Sequence, residues 1–321
     1  MGAPPACCGK PQKPSLTIIA GNGLFASYAQ DWESVMGAEL FALTAALGWA
    51  VEAILVRKGA QYASISLAVL MSFFVTALVL WTVNWWSFPL SLLYSPATFY
   101  FILGGLIQPA IVRFLHYTGI VRLGASRAAP VRGISPLFAI VVAFFFLGER
   151  PGFSVYIGAV LSVAGLWLIS YRREGETAWK TIDLLFPLGA ALLTAVSQNI
   201  RKTGLLILPN PYIAAAVTTT TSLVVFLLSL ILTGQICSIK MDKRCLPSYG
   251  SAAVISTAAQ LFTFIALSKG QVSVVVPLVN ANPLFIVFLS ALFLKDLEKV
   301  TGLVVTGALL IVGGVALITY R

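Results

Sequence analysis

Ten apolar runs follow one another along the chain and leave almost no room for a soluble domain. Each run is close to the roughly 20 residues that an α-helix needs to cross the hydrocarbon of a bilayer. Only 10% of the 321 residues are charged, against about 25% in soluble domains. The runs lie near 38–57, 64–83, 98–119, 124–147, 153–171, 183–200, 211–233, 248–268, 272–294 and 301–320. The sequence therefore predicts an all-α integral membrane protein with ten transmembrane helices, and it excludes a soluble enzyme.

The formal net charge of +10 has its simplest explanation in the same bilayer. On so apolar a chain we expect basic residues beside membrane spans and not on a nucleic-acid-binding surface. Residues 1–36 lack the charged start, apolar run and cleavage site of a signal peptide, so we interpret them as an N-terminal tail. The four cysteines have no metal-ligand spacing and no Walker A motif is present, so we expect neither a metal nor a cofactor.

An internal repeat divides the rest of the chain into two halves, 37–173 and 174–321. The segment Pro130-Val-Arg-Gly-Ile-Ser-Pro136-Leu-Phe138 recurs as Pro277-Leu-Val-Asn-Ala-Asn-Pro283-Leu-Phe285, and both copies read P-x5-P-L-F. Each half holds five predicted helices. Because five is an odd number, the second half must enter the membrane from the opposite face, so the repeats are inverted. Inverted repeats let a central site open to either side in turn, which is typical of secondary transporters.

Further matches support the same division. They pair Arg57 and Lys58 with Arg201 and Lys202, and Gly158 and Gly165 with Gly307 and Gly314. Small residues on helices five and ten allow two backbones to approach closely, so the four glycines predict that these helices pack together.

Several motifs resemble those of a known family. The segment Leu115-His-Tyr-Thr-Gly-Ile-Val-Arg-Leu-Gly-Ala-Ser126, followed by Leu147-Gly-Glu-Arg150, is similar to the EamA-type ten-helix exporters of the drug/metabolite transporter superfamily. Ala266-Leu-Ser-Lys-Gly270 resembles the same pattern in the second half. The resemblance covers about residues 38–321. It implies a central cavity surrounded by helices one, three, four, six, eight and nine, with five and ten outside. Similar sequences export amino acids, metabolites and drugs, so the substrate is left open.

Ionisable residues inside membrane spans are costly and usually mark a functional pathway. Glu52 is the only acid well inside a predicted span, where it could bind an amine or a coupling proton. The alternatives are that it reaches the interface or pairs structurally with Arg113 or Arg132. Arg132 lies near mid-span on helix four, and Arg113 on helix three aligns with Gln260 on helix eight. We expect Arg132, Arg113 and Gln260 to line the cavity.

Four prolines predict kinks in helices four and nine, because each removes a backbone donor and such a defect is tolerated beside a cavity. They are Pro130, Pro136, Pro277 and Pro283. Polar side chains near these kinks and on helix six could bind a ligand, or instead form bonds between helices. They are Ser135, Gln198, Asn199, Asn280 and Asn282.

Two deep guanidinium groups beside amide donors suit a carboxylate or a phosphate, because a guanidinium grips planar oxyanions with two parallel bonds. We therefore predict a secondary transporter in the plasma membrane that exports a small anionic or zwitterionic, amino-acid-like metabolite by alternating access, with proton coupling left open. An organic-phosphate or nucleotide-sugar exchanger is the alternative. A passive channel and a membrane-embedded lipid enzyme rank lower, and the oligomeric state is not predicted.

The charge distribution and the family resemblance disagree about membrane orientation. The loops on one side carry eleven Lys and Arg residues, and the side with both termini carries seven, among which Arg201 and Lys202 are counted as loop residues. The positive-inside rule then places the termini outside, whereas the resemblance implies cytoplasmic termini. We favour the charge count, which predicts that Cys237 and Cys245 are reduced thiols shielded from the outside.

Overall fold

The structure is a computed structural model that describes residues 22–112, 114–115, 118–119, 131–170, 181–235, 242–293 and 302–320. Every regular element in these ranges is helical. In chain order the α-helices are α1 (Asn22–Gly59), α2 (Ile65–Ser87), α3 (Ala97–Gly105), α4 (Ser135–Val142), α5 (Phe153–Ser170), α6 (Leu185–Ile207), α7 (Pro211–Leu232), α8 (Leu246–Lys269), α9 (Val272–Val279), α10 (Asn282–Phe293) and α11 (Gly302–Thr319). Helix α3 continues into a π-helical turn, Leu106–Ile111, and α4 into another, Ala143–Leu147.

These helices correspond to the ten predicted spans, with α9 and α10 together forming the ninth. Five are long and apolar enough to cross a membrane by length and composition, and the others are shorter apolar helices. The five long spans, two of which include the 3-10 turn before α6 or α8, are Gly37–Gly59, Ile65–Ser87, Ile182–Ile207, Pro211–Leu232 and Lys243–Lys269. The prediction of an all-α membrane protein made of two inverted five-helix repeats is confirmed.

Helix α1 begins earlier than the first predicted span, which starts near residue 38. It starts at Asn22 and runs without a break to Gly59. No proline occurs between these residues, so nothing in the backbone chemistry forces the helix to end at the membrane surface. Residues 22–36, which we interpreted as part of a tail, therefore extend the first membrane helix.

The packing of α5 on α11 displays the symmetry of the two repeats. A Cβ added to Gly158 would collide with the carbonyl oxygen of Gly314, and a Cβ added to Gly165 would collide with that of Gly307. Gly158 is the repeat equivalent of Gly307, and Gly165 of Gly314. Replacing each residue of one contact by its repeat equivalent therefore gives the other contact. Only antiparallel helices related by an approximate two-fold axis contact each other in this way. The predicted close packing of these helices is therefore present, and it lies within one chain.

The remaining contacts between the halves are also reciprocal. Helix α1 packs on α8 and α3 packs on α6, which are equivalent pairs, and α2 packs on its own equivalent, α7. Just after the Arg-Lys pair of each repeat, a glycine lies against an aromatic ring: Gly59 against Tyr249, and Gly204 against Phe101. A side chain at either glycine would meet the ring. Each half therefore folds against the other, and the space between them is the natural place for a site.

Helices four and nine are both broken beside that space. Residues 133–134 form a turn before α4, and residues 280–281 form a turn between α9 and α10. Pro136 and Pro283 each occupy the second position of the helix that follows the break. A proline in the first turn removes no helical hydrogen bond, so the chain can restart a helix there. Pro277 lies inside α9, and Pro130 lies outside the described residues.

Candidate functional site

A cavity of about 450 Å³ lies between the two repeats. A smaller cavity of about 170 Å³ adjoins it, and the two share Trp49, Phe73, Thr219 and Gln260 as walls. The other residues that line the larger cavity are Gln108, Arg132, Gly133, Ser135, Leu166, Thr194, Gln198, Arg201, Ser222, Thr263, Val279, Asn280, Asn282 and Pro283. Both breaks in helices four and nine open onto this cavity, through Gly133 and Asn280.

The structure brings most of the predicted site residues to these two cavities. The larger one is lined by Arg132, Ser135, Gln198, Gln260, Asn280, Asn282 and Pro283. Glu52 lines the smaller one. Pro136 and Pro277 shape the broken helices without being among the residues that line either cavity. Arg113 lies outside the described residues.

Asn199 takes the structural role that we weighed for it and is not among the described residues that line the cavities. Its side chain is buried in α6, and its amide Nδ2 donates to the carbonyl oxygens of Ala195 at 2.9 Å and Ala139 at 3.2 Å. The second bond ties α6 to α4. The Nδ2 group of Asn199 therefore holds helices together, while its Oδ1 is buried without a partner among the described residues.

Arg201 is the principal site residue that the sequence analysis missed, because it was counted as a loop cation. Helix α6 continues to Ile207, so Arg201 lies inside the helix, and it is only 6% exposed. Its guanidinium group lies 5.7 Å from the centre of the Phe264 ring, and Nη2 donates to the carbonyl oxygen of Gln108 at 3.4 Å. Its repeat equivalent, Arg57, is exposed. The two halves therefore place the same Arg-Lys pair in different environments.

The carbonyl that Arg201 contacts is available because α3 does not continue as a regular helix. Gln108 has φ −123° and ψ 115°, an extended conformation inside the π-helical turn. Pro109 follows it, and a proline disfavours helical backbone in the residue before it. The turn leaves the Gln108 carbonyl oxygen facing α6 and α7, where it lies 3.3 Å from Ser222 Oγ. Pro109 was the sequence signal for this feature.

A run of hydroxyl residues on α7 supplies another wall. Thr218 Oγ1 donates to the carbonyl oxygen of Phe101 at 3.3 Å, and Thr220 Oγ1 accepts from Trp81 Nε1 at 2.8 Å. These bonds tie α7 to α3 and α2. Thr219, between them, turns toward the cavities. The four consecutive threonines 218–221 in an otherwise apolar helix were a visible signal that the sequence analysis did not use.

Four polar atoms around the larger cavity are buried and have no hydrogen-bond partner among the described residues. They are Gln108 Oε1, Gln198 Oε1, Arg201 Nε and Thr219 Oγ1. Buried polar groups in proteins nearly always have a partner, so these four atoms are available to a ligand or to water, as are other unpartnered atoms away from the cavity such as Ser64 Oγ and Asn84 Oδ1.

The charges around the site are unevenly distributed. The larger cavity is lined by two cations, Arg132 and Arg201, and no carboxylate lines it in the described part of the chain. The smaller cavity is lined by one carboxylate, Glu52, and the lining that the structure describes contains no cation. The cationic and the anionic lining residues therefore lie in different parts of the combined space.

The set of helices around the cavity is larger than the resemblance implied. Helices α2 and α7 contribute Phe73, Thr219 and Ser222, and α5 contributes Leu166. The expectation that the fifth helix lies outside the cavity needs this correction: its inner face touches the cavity, while its glycine face packs on α11.

Comparisons with known proteins agree with this architecture. The sequence profile of the EamA-like transporter family matches residues 36–171 and again residues 181–320. A solved structure, described only as the crystal structure of a protein, is similar to this chain with a TM-score of 0.70 and 18% identity, over 87% of this chain and 95% of that one. That likeness shows the fold alone. A comparison with curated proteins finds no match. Because the family profile matches both halves across almost the whole chain, this multi-pass integral membrane protein belongs to the EamA-like transporter family.

Proposed function

We propose that the protein is a secondary transporter that exports a small anionic or zwitterionic, amino-acid-like metabolite across the plasma membrane by alternating access. The observation that carries the proposal is the buried guanidinium group of Arg201 at the cavity wall, whose Nε has no partner in the described structure. Arg132 lines the same cavity. A bound oxyanion would supply what this wall lacks.

The chemistry of arginine supports an oxyanion over a neutral ligand. A buried cation is costly unless an opposite charge or hydrogen bonds compensate it, and Arg201 is buried with its Nε unpartnered in the described structure. A carboxylate lowers this cost, because the planar fork of a guanidinium donates two parallel hydrogen bonds to its two oxygens. The unpaired Thr219 hydroxyl can donate to the same group, and the amide side chains of Gln108 and Gln198 can turn their NH₂ groups toward it.

The inverted repeats support alternating access. Each half can adopt the conformation of the other, and exchanging the two conformations opens the central space to the opposite side. The breaks at residues 133–134 and 280–281 lie at the cavity wall, where a change in helix direction would alter access directly. Glu52, in the adjoining cavity, supplies the negative group that an ammonium group or a coupling proton requires.

An exchanger of organic phosphates or nucleotide sugars is the second candidate. It is favoured by the pair of arginines and by the absence of a carboxylate from the described lining of the larger cavity. In that case Glu52 has a structural role. Flux that is insensitive to a proton gradient would favour this candidate, whereas proton-driven flux would favour the first.

The test is a thermal-unfolding screen of the purified protein, since a ligand that binds only the folded state raises the melting temperature. The panel contains amino acids, their carboxyl-amidated derivatives and organic phosphates. We expect compounds with a free oxyanion to raise the melting temperature, and amidated derivatives to have no effect. The shift should be lost in Arg201→Gln and strongly reduced in Arg201→Lys and Arg132→Lys, because an ammonium group cannot reproduce the planar fork.

Arg244→Gln is the matched control, because Arg244 is exposed outside the cavity and the substitution removes the same charge. It should retain the full shift. Counterflow of the best ligand in proteoliposomes then tests transport. The proposal is wrong if Arg201→Gln responds to the ligands as the native protein does, or if the amidated compounds bind as well as the acids.

A further inference from the structure

The smaller cavity, between α1, α2 and α8, has a lining that the oxyanion site does not explain. Glu52 is its only charged lining residue in the part of the chain that the structure describes, and Ser72, Thr76, Thr219 and Ser256 supply hydroxyl groups. All four hydroxyl residues are buried. A carboxylate surrounded by hydroxyl groups can bind a hydrogen-bond donor or a cation. The hydrogen bonds that these hydroxyl groups already form show which of their protons and lone pairs remain for a ligand.

One of these hydroxyl groups has already used its only proton, because Ser256 Oγ donates to the carbonyl oxygen of Ala253 at 3.0 Å. Thr76 Oγ1 forms a 2.8 Å hydrogen bond with Thr257 Oγ1, in which either hydroxyl can be the donor. Since a hydroxyl group carries one proton and two lone pairs, Ser256 has only lone pairs left to offer, and Thr76 has at least one lone pair left in either arrangement.

Thr219 adds an oxygen with no partner among the described residues, at a position where it lines both cavities. The ring systems of Trp49 and Phe73 form the shared walls. Aromatic faces attract cations through the negative potential of their π systems. Carboxylate, lone pairs and aromatic faces all favour a positive ligand, and none of them favours a second anion.

We propose that the smaller cavity is a binding subsite for a monovalent cation, either the primary ammonium group of the substrate or a sodium ion, with Glu52 as its counter-charge and the Thr76, Ser256 and Thr219 oxygens as further ligands. The inference rests on the proposed function, because the subsite opens onto the oxyanion cavity through shared walls. A zwitterion could then span both, with its carboxylate at Arg201 and its ammonium group at Glu52.

The experiment measures the melting temperature of the purified full-length protein in methylammonium chloride and in sodium chloride. Each is compared with N-methyl-D-glucamine chloride at equal ionic strength, since that cation is too bulky for the subsite. We expect methylammonium, sodium or both to raise the melting temperature by at least about 2 °C near saturation. The shift should disappear in Glu52→Gln and shrink in Ser256→Ala, which removes an oxygen from the smaller cavity alone without removing a charge.

Asp242→Asn is the control, because Asp242 is exposed and an asparagine can still accept the hydrogen bond from the Arg244 amide. It should keep the full shift. If Glu52→Gln does not fold, Ser256→Ala and Thr76→Val provide the test, because both residues line the smaller cavity alone.

The two salts distinguish the sources. A response to methylammonium alone assigns the subsite to the substrate, and a response to sodium assigns it to a coupling ion. If neither salt shifts the native protein, or if the shift persists in Glu52→Gln, the subsite does not exist. The response of the same sample to oxyanions through Arg201 reports separately on the proposed function.

Discussion

Glu149 and Lys202 hold the turn between α8 and α9 from two sides. Lys202 Nζ donates to the carbonyl oxygens of Leu267 and Gly270, each at 2.7 Å, at the end of α8. The ammonium group therefore satisfies carbonyls that the helix leaves unpaired, at the end where its dipole is negative. Lys202 is only 8% exposed, so this contact is shielded from water.

The Glu149 carboxylate completes the arrangement at the start of α9. Its Oε1 accepts from the amide of Val272 at 2.8 Å and its Oε2 from the amide of Ser273 at 2.9 Å. Gly148 precedes it with φ 67°, a left-handed conformation that ends the fourth helix and turns the chain toward α9. Because Glu149 belongs to the first repeat and α9 to the second, this carboxylate joins the two halves at one end of the molecule.

We expect Lys202→Met to destabilise the protein. The substitution keeps the length of the side chain but leaves the Leu267 and Gly270 carbonyl oxygens without a donor, at a cost of about 1–3 kcal/mol for a buried group. The melting temperature in detergent should fall by several degrees. Lys243→Met is the control, because Lys243 is exposed, and it should melt close to the native protein. Equal melting temperatures for the two variants would contradict the structural role of Lys202.

The contact between α5 and α11 gives a sharper test of packing. Gly158→Ala places a methyl group against the carbonyl oxygen of Gly314 and the Ile318 side chain, and the backbone carbonyl cannot be relieved by a change of rotamer. We expect a loss of about 1–3 kcal/mol, as for other overpacked sites. Gly313→Ala is the matched control, because a Cβ at Gly313 meets nothing within 4 Å. Alanine there should be neutral or slightly stabilising, since it favours the helix. A neutral Gly158→Ala would contradict the close approach of these helices.

We expect alanine substitutions at two asparagines to have different effects, one mainly on stability and the other mainly on ligand affinity. Asn199 is spent on the carbonyl oxygens of Ala139 and Ala195, so Asn199→Ala should lower the melting temperature while the ligand affinity of the folded protein stays close to native. Asn280 lines the cavity at the break in helix nine, so Asn280→Ala should weaken binding by several-fold at a smaller cost in stability. Ligand titrations followed by thermal unfolding measure both quantities. The assignment fails if the two variants show the same pattern.

The structure changes how membrane orientation should be tested. Arg201 and Lys202 are buried within α6, whereas their repeat equivalents Arg57 and Lys58 are exposed at the end of α1. The cations counted on the side of the termini therefore fall from seven to five, against eleven on the other side. The positive-inside rule then favours external termini more strongly. Cys245 is fully buried and would resist labelling from either side, and Cys237 lies outside the described residues.

Lys243→Cys provides the exposed thiol that Cys245 does not. Lys243 is exposed in the turn before α8, on the side with more cations. With external termini, we expect an impermeant maleimide to label this variant only after the cells are opened. Ser95→Cys, in the loop after α2, reports on the opposite side and should be labelled in intact cells. Labelling of Lys243→Cys in intact cells would place the termini in the cytoplasm.

Hydropathy and the repeated segments of the sequence were enough to determine the ten helices and their division into inverted halves. A run of apolar residues must span the bilayer, and a repeated motif marks equivalent positions, whichever helices touch. The prolines marked helices four and nine as irregular, but only the structure showed that Pro136 and Pro283 follow the breaks, in the first turn of the next helix.

The inner faces of the helices were decided only by the tertiary structure. Gln198 lines the cavity and its neighbour Asn199 does not, because adjacent residues of a helix point about 100° apart. Arg57 and Arg201 occupy equivalent positions in the repeated sequence, yet one is exposed and the other buried. In a membrane the surroundings of both faces of a helix are apolar, so hydropathy cannot distinguish the lipid side from the protein side. The packing of α6 against α3, α4 and α8 determines which face of α6 points to the protein interior, and this places Arg201 at the cavity.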